Sequence, residues 1–209
     1  MTSIHAPSPN HTKTAIQGDD PRVDARMSLS RALVWGLLTV GFAVPAAAQE
    51  RPSPFISELK IGVQAHDVPY MWSGFNREPI TPDLNLEAQF SPSVFFWGGR
   101  LFPALGATIN FDGHTSKAYL DARWQKEYEN HTFFALGLGI AVHDGKLETN
   151  QPDFKDLGRR VLFHPNFEIG YRLDPHQSLS IFYEHISNAS TARENEGLDT
   201  IGVRYGYRF

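Results

Sequence analysis

The chain has no cysteine among its 209 residues. That excludes a disulfide framework, a thiolate metal site and a cysteine nucleophile. Basic excess is also missing. The formal charge is −4, which leaves no electrostatic footprint for nucleic acid. Long apolar runs are scarce, and the mean hydropathy is −0.33. A polytopic helical membrane protein is thereby excluded, but a membrane barrel is not, since its strands are apolar on one face only. There is no phosphate-binding glycine loop and no internal repeat. His66, His114, His131, His143, His164 and His176 are scattered without metal-ligand spacing, so polar filling or a surface position is expected of them rather than ligation. No cofactor is expected.

What is present begins with one apolar block, Ala32 to Ala48, preceded by Arg31 and closed by Ala46-Ala47-Ala48. A basic flank, a short apolar core and a small-residue end read as a secretory signal over 27–48. It is short for a transmembrane anchor and carries Pro45. Residues 1–26 read as a disordered extension upstream of a start at Met27. The expected folded part is 49–209, outside the inner membrane, where a chain without cysteine needs no protection from oxidation.

That part alternates with period two in eight stretches: 58–66, 84–90, 101–111, 117–127, 133–142, 161–173, 178–187 and 200–209. One face is large and apolar, as in Leu59, Ile61 and Val63. The other mixes Gly and Ala with Asp, Glu, Lys and Arg. A soluble sandwich would turn the charged face to water, but glycines among charges suit the tight, ion-paired interior of a small barrel. Asp121, Arg123 and Glu127 are expected to pair there with Glu168 and Arg172. The final residues, IGVRYGYRF, alternate strictly and end on Phe209, a pattern that resembles the assembly signal of bacterial outer-membrane barrels. The fold class expected is all-β: an eight-stranded antiparallel transmembrane β-barrel. An even strand count puts both ends in the periplasm. The turns 128–131 and 173–177 would then be periplasmic, and 67–82, 143–158 and 188–198 outer loops. Segment 91–100, SPSVFFWGGR, does not sort cleanly by length and reads as a strand extension.

The chemistry gathers at the outer end of the last two stretches. His185 and Ser187 are two apart, so they share a face, and it is the apolar face of Leu179, Ile181 and Tyr183. Asp199 has the parity of Ile201 and Val203. Hairpin pairing with a loop of 188–198 puts Ser187 opposite Asp199 and His185 opposite Ile201. A nucleophile, a base and an acid therefore converge on the lipid-facing wall. The same residues would also suit a plain rim, where lipid facing gives way to headgroup contact.

His185-Ile186-Ser187-Asn188, followed by Asn195-Glu196-Gly197-Leu198-Asp199, resembles the motif of the lipid A 3-O-deacylases, the PagL-type outer-membrane barrels. The resemblance is closest over residues 158–209. It implies a Ser/His/acid esterase with Ser187, His185 and Asp199 in those roles and an oxyanion donor at Asn188. It also implies lipid A of lipopolysaccharide, in the outer leaflet of the bacterial outer membrane, as substrate. Val161 and Phe163, outward near the same rim, are expected to cradle the acyl chain. Two positions depart from the family pattern. Its acid is usually Glu, here Asp199. It usually has Gly two residues after the Asn, where this chain has Ser190 and a positive φ would be costly. The rival reading is a non-catalytic structural or adhesive barrel. Whether two copies form a homodimer is left open by the sequence.

Overall fold

Side chains alternate across a β-pleat, so a period-two pattern makes a wall with two chemically different faces. The computed structural model describes residues 54–209; the expected extension and signal fall outside them. The strands are β1 (Ile56–Ala65), β2 (Pro82–Phe90), β3 (Val94–Phe96), β4 (Gly99–Asn110), β5 (Lys117–Glu127), β6 (Thr132–His143), β7 (Val161–Arg172), β8 (Gln177–Ile186) and β9 (Leu198–Arg208). Eight long strands form an antiparallel sheet in the order β2-β1-β9-β8-β7-β6-β5-β4, and pairing of β2 with β4 closes it into a barrel. Closure pairs the edges of the eight long strands, as a wall in lipid requires.

Segment 91–100 differs from expectation. Gly99 and Arg100 extend β4 as expected, but residues 91–98 lengthen no strand of the wall. β3 folds back on the start of β4, pairing Val94 with Leu101 and Phe96 with Gly99. Trp97 and Gly98 make the reversal at positive φ, and Trp124 Nε1 donates to Phe96 O at 2.7 Å.

The apolar face points outward: Leu59, Ile61, Leu138, Ile181 and Val203 are exposed. Inside, Arg123 is wholly buried between Glu87 (2.8 Å) and Glu168 (2.6 Å). Lys60 reaches Glu168 at 2.7 Å, and Arg204 reaches Glu87 at 3.1 Å. His164 sits between Asp121 (2.9 Å) and Glu184 (3.0 Å). Arg172 joins Glu127 and Glu58, each at 2.9 Å. The expected pairs Arg123–Glu168 and Arg172–Glu127 thus both form. A buried charge left without its partner costs several kcal/mol, so this matched network sets which polar faces turn inward. The glycines make room for the larger neighbours. A Cβ on Gly106, for example, would overlap the ring of Tyr119, whose hydroxyl donates to Glu87 at 3.0 Å.

Antiparallel order sorts the connections into two ends. Segments 91–98, 128–131 and 173–176 lie at one, beside both ends of the described chain. The four loops at the other, 66–81, 111–116, 144–160 and 187–197, form the outer rim.

Candidate active site

The last hairpin carries the motif. Ile186 pairs with Leu198, and both turn inward into an apolar cluster with Leu157 and Leu162. That burial sets the register, and it differs from expectation by two residues. His185 stands opposite Asp199, and Ile201 faces Tyr183. A two-residue shift keeps every side chain on its expected face. His185 and Asp199 therefore still share the outer wall, now as direct cross-strand partners.

Their side chains meet: His185 Nδ1 and Asp199 Oδ1 are 2.7 Å apart. Both are almost fully buried although they lie on the outward face. Three further features explain this. Tyr183 Oη donates to Asp199 Oδ1 at 2.5 Å. The backbone N–H of Ser73, from the first outer loop, donates to Asp199 Oδ2 at 2.6 Å. The indole of Trp72 stacks on the imidazole at 4.7 Å between centroids, with planes 11° apart. The parity of Tyr183 was readable from the sequence. Trp72 and Ser73 carried no such signal, because they lie more than a hundred residues from the groups they touch.

Ser187 follows β8 and is half-buried. It is held by an isolated bridge to Phe163 of β7, with Phe163 N donating to Ser187 O at 2.8 Å and Ser187 N to Phe163 O at 3.2 Å. Phe163 and Val161 are exposed on the lipid side. No hydrogen bond joins Ser187 Oγ to His185 Nε2 among the described residues; such bonds often tighten only around substrate.

Asn188, expected as an oxyanion donor, has its donors engaged elsewhere. Its N–H goes to Asn195 Oδ1 at 2.9 Å, and its Nδ2 to Leu157 O at 3.0 Å and Glu194 O at 2.5 Å. The next two residues, Ala189 and Ser190, adopt φ of 50° and 60°. Ser190 accepts the left-handed conformation that glycine would take more cheaply. Both residues are exposed, and their N–H groups have no acceptor among the described residues. Gly197 also has positive φ, and a Cβ there would come within 2.9 Å of His185 Cε1. The glycine of the Asn-x-Gly element is thus small because the imidazole passes over it.

The outer loops brace one another. Lys155 pairs with Asp67 at 3.0 Å, and Asp67 also accepts from the N–H groups of Arg77 and Glu78 at 2.8 and 2.9 Å. Arg77 reaches Glu196 at 2.8 Å, and Glu196 accepts from Asp156 N at 2.8 Å. His66 lies buried between Asp83 (2.7 Å) and Glu78 (2.8 Å), with the His114 ring 6.1 Å away.

Burial alone would lower the pKa of His66, but hydrogen bonds to Asp83 and Glu78 outweigh it and raise it to about 8. The folded value lies above the unfolded one. Its stabilisation is therefore complete below about pH 6.5 and is lost as pH rises through about 8, a contribution of about 2 kcal/mol. Hydrogen exchange of residues 66–81 is expected to accelerate from pH 6.5 to 9 beyond its intrinsic trend. In His66→Gln that excess should vanish; an unchanged excess would assign it to another group.

A family model described as lipid A 3-O-deacylase (PagL) matches residues 69–208. The chain belongs to the lipid A 3-O-deacylase family. The match reaches well beyond residues 158–209, where the motif resemblance was closest, and takes in the tip of the first outer loop. The lipid A deacylase PagL of Bordetella bronchiseptica (strain ATCC BAA-588 / NCTC 13252 / RB50) is 24% identical over 190 residues, 84% of this chain and 95% of that protein. The crystal structure of the outer membrane enzyme PagL has a TM-score of 0.57 and 18% identity, covering 73% of this chain and 100% of that one. This second likeness is one of fold: both are β-barrels. As a family member with this wall, the chain is an outer-membrane protein.

Proposed function

We propose that this protein is an esterase that removes the 3-O-linked acyl chain from lipid A, with Ser187 as nucleophile, His185 as general base and Asp199 as the carboxylate that orients the imidazole. The observation that carries this reading is the His185–Asp199 pair, 2.7 Å apart on the lipid-facing wall, with Ser187 two residues further toward the rim. A structural barrel has no use for a desolvated His–Asp pair on the side that meets lipid. An enzyme whose substrate lies in the outer leaflet needs its groups there, because lipid A presents its ester bonds just beneath the headgroups.

With Nδ1 held by Asp199, the His185 nitrogen left for proton transfer is Nε2. Ser187 Oγ attacks the ester carbonyl carbon as Nε2 takes its proton. Negative charge develops on the carbonyl oxygen. The unengaged N–H groups of Ala189 and Ser190 are the donors we assign to it, with Asn188 as the brace that holds their loop rather than as the donor itself. Collapse breaks the bond to the sugar oxygen, and His185 returns the proton to that leaving group. Water, deprotonated by His185, then hydrolyses the acyl-serine and frees a 3-hydroxy fatty acid. Phe163, bridged to Ser187, and Val161 beyond it form the apolar wall along which the acyl chain lies.

The test is mass spectrometry of lipid A from cells with and without the protein. Loss of one 3-hydroxyacyl chain from the glucosamine 3-position is expected. Unaltered lipid A beside correctly inserted protein would favour the non-catalytic barrel.

A further inference from the structure

We infer that Trp72 is a positioning residue of the active site, clamping the His185 ring from its face while the neighbouring Ser73 N–H holds Asp199 from behind. This rests on the reading of Ser187, His185 and Asp199 as the reacting groups.

An imidazole on the outer wall of a barrel has few natural neighbours, since fluid lipid cannot fix its orientation. His185 is nevertheless held on several sides. Nδ1 is tied to Asp199 at 2.7 Å. Cε1 lies against Gly197, where a Cβ would come to 2.9 Å. One face is covered by the Trp72 indole at 4.7 Å and 11°. A ring flip would have to break the Asp199 bond and slide under the indole. The side toward Nε2 is left for Ser187.

Trp72 is not an ordinary packing residue. It is 67% exposed, and its one aromatic partner among the described residues is His185. A Trp kept for packing would bury more of its surface.

The loop that delivers it is built to hold position. Val68 N donates to Asp199 O at 2.9 Å, so the loop starts on the strand that carries the acid. The chain reverses at 70–74, with Tyr70 at φ 64° and Gly74 N donating to Met71 O at 3.2 Å. The base is locked by Asp67, which binds Lys155 and the N–H groups of Arg77 and Glu78. Trp72 and Ser73 thus ride on a braced hairpin that crosses over β9 to reach β8. The first outer loop contributes no acid, base or nucleophile, yet it completes the shell that aims them. A misplacement of about 1 Å in a reacting group can cost on the order of 100-fold in rate, which sets the scale of the effect.

The experiment compares kcat and KM of purified wild type, Trp72→Ala, Trp72→Phe and Ser187→Ala on a lipopolysaccharide with a 3-O-linked 3-hydroxyacyl chain in detergent micelles. Folding is checked by heat-modifiable mobility. Trp72→Ala should lower kcat by roughly 10- to 100-fold with KM within about twofold, and Trp72→Phe, which keeps a ring face, should recover most of kcat. Wild-type kcat in Trp72→Ala, or a loss confined to KM, overturns the positioning role. So does an equal kcat loss in Trp72→Phe. Acyl release that survives Ser187→Ala, or no release by wild type, overturns the parent reading and the inference with it. Release abolished by Ser187→Ala but untouched in Trp72→Ala overturns the inference alone.

Discussion

Ser187→Ala is expected to fold and insert like the wild type while losing deacylation by on the order of 10⁴- to 10⁶-fold. The folding half follows from where Ser187 makes its contacts. Its bridge to Phe163 runs through backbone N–H and C=O, which alanine keeps, and its hydroxyl has no hydrogen-bond partner among the described residues. The activity half follows from chemistry. Alanine offers no oxygen to attack the ester, and the remaining donors and acyl wall can bind substrate without forming the covalent intermediate. Lipid A mass spectrometry together with heat-modifiable mobility checks both halves. A folded variant with full activity would show that another group attacks the ester and that the motif has been assigned wrongly.

Asp199→Asn is expected to cost on the order of 10³- to 10⁴-fold in kcat, by analogy with other triads. Asp199 accepts three hydrogen bonds: from Tyr183 Oη, from His185 Nδ1 and from Ser73 N. Asparagine offers one oxygen and one NH₂. With the NH₂ in the place of Oδ1 it meets Tyr183 Oη and His185 Nδ1 and drives the imidazole toward the tautomer with the wrong nitrogen protonated; in the place of Oδ2 it faces the Ser73 N–H and the loop loses its anchor. Asp199→Glu restores the usual family residue, and the sequence alone would let activity persist or rise. The geometry argues otherwise. The carboxylate is enclosed by donors at 2.5–2.7 Å, so an added methylene must push the loop or the imidazole aside. A loss of roughly tenfold is expected, within the cost of a misplacement of under an ångström. The check is the steady-state rate of all three variants on one substrate. Near-normal turnover in Asp199→Asn beside an inactive Ser187→Ala would mean a Ser–His dyad, with Asp199 serving the loop alone.

Much of the site was legible because of one simple rule. Residues two apart on a strand share a face whatever the rest of the chain does. The outward placement of His185, Ser187 and Asp199 therefore needed no knowledge of pairing. The same rule located the eight long strands to within about two residues of their observed ends. Position 190 was partly legible: the missing glycine marked a conformation that a serine would adopt at a cost, and Ser190 does adopt it. The segment 91–100 was harder. Its apolar residues alternate poorly, and a three-residue strand paired only at a barrel end leaves little periodic trace.

By itself the sequence determined which side chains face lipid and which face the interior, with His185 and Asp199 on the lipid side. Side-chain period and the clustering of charges among glycines are local properties, and they suffice for that. The register and the partners were decided by the tertiary structure. His185 meets Asp199, and not Ile201, because Ile186 and Leu198 bury together against Leu157 and Leu162, a preference that loop length does not encode. Trp72 and Ser73 arrive at the site because Asp67 and Lys155 can satisfy their buried charges only by locking the outer loops to one another, with the partly exposed pair Arg77–Glu196 as a second tie. Contacts between residues so far apart in the chain leave no periodic mark. They are settled by the cost of an unpaired polar group, which exists only once the barrel has closed.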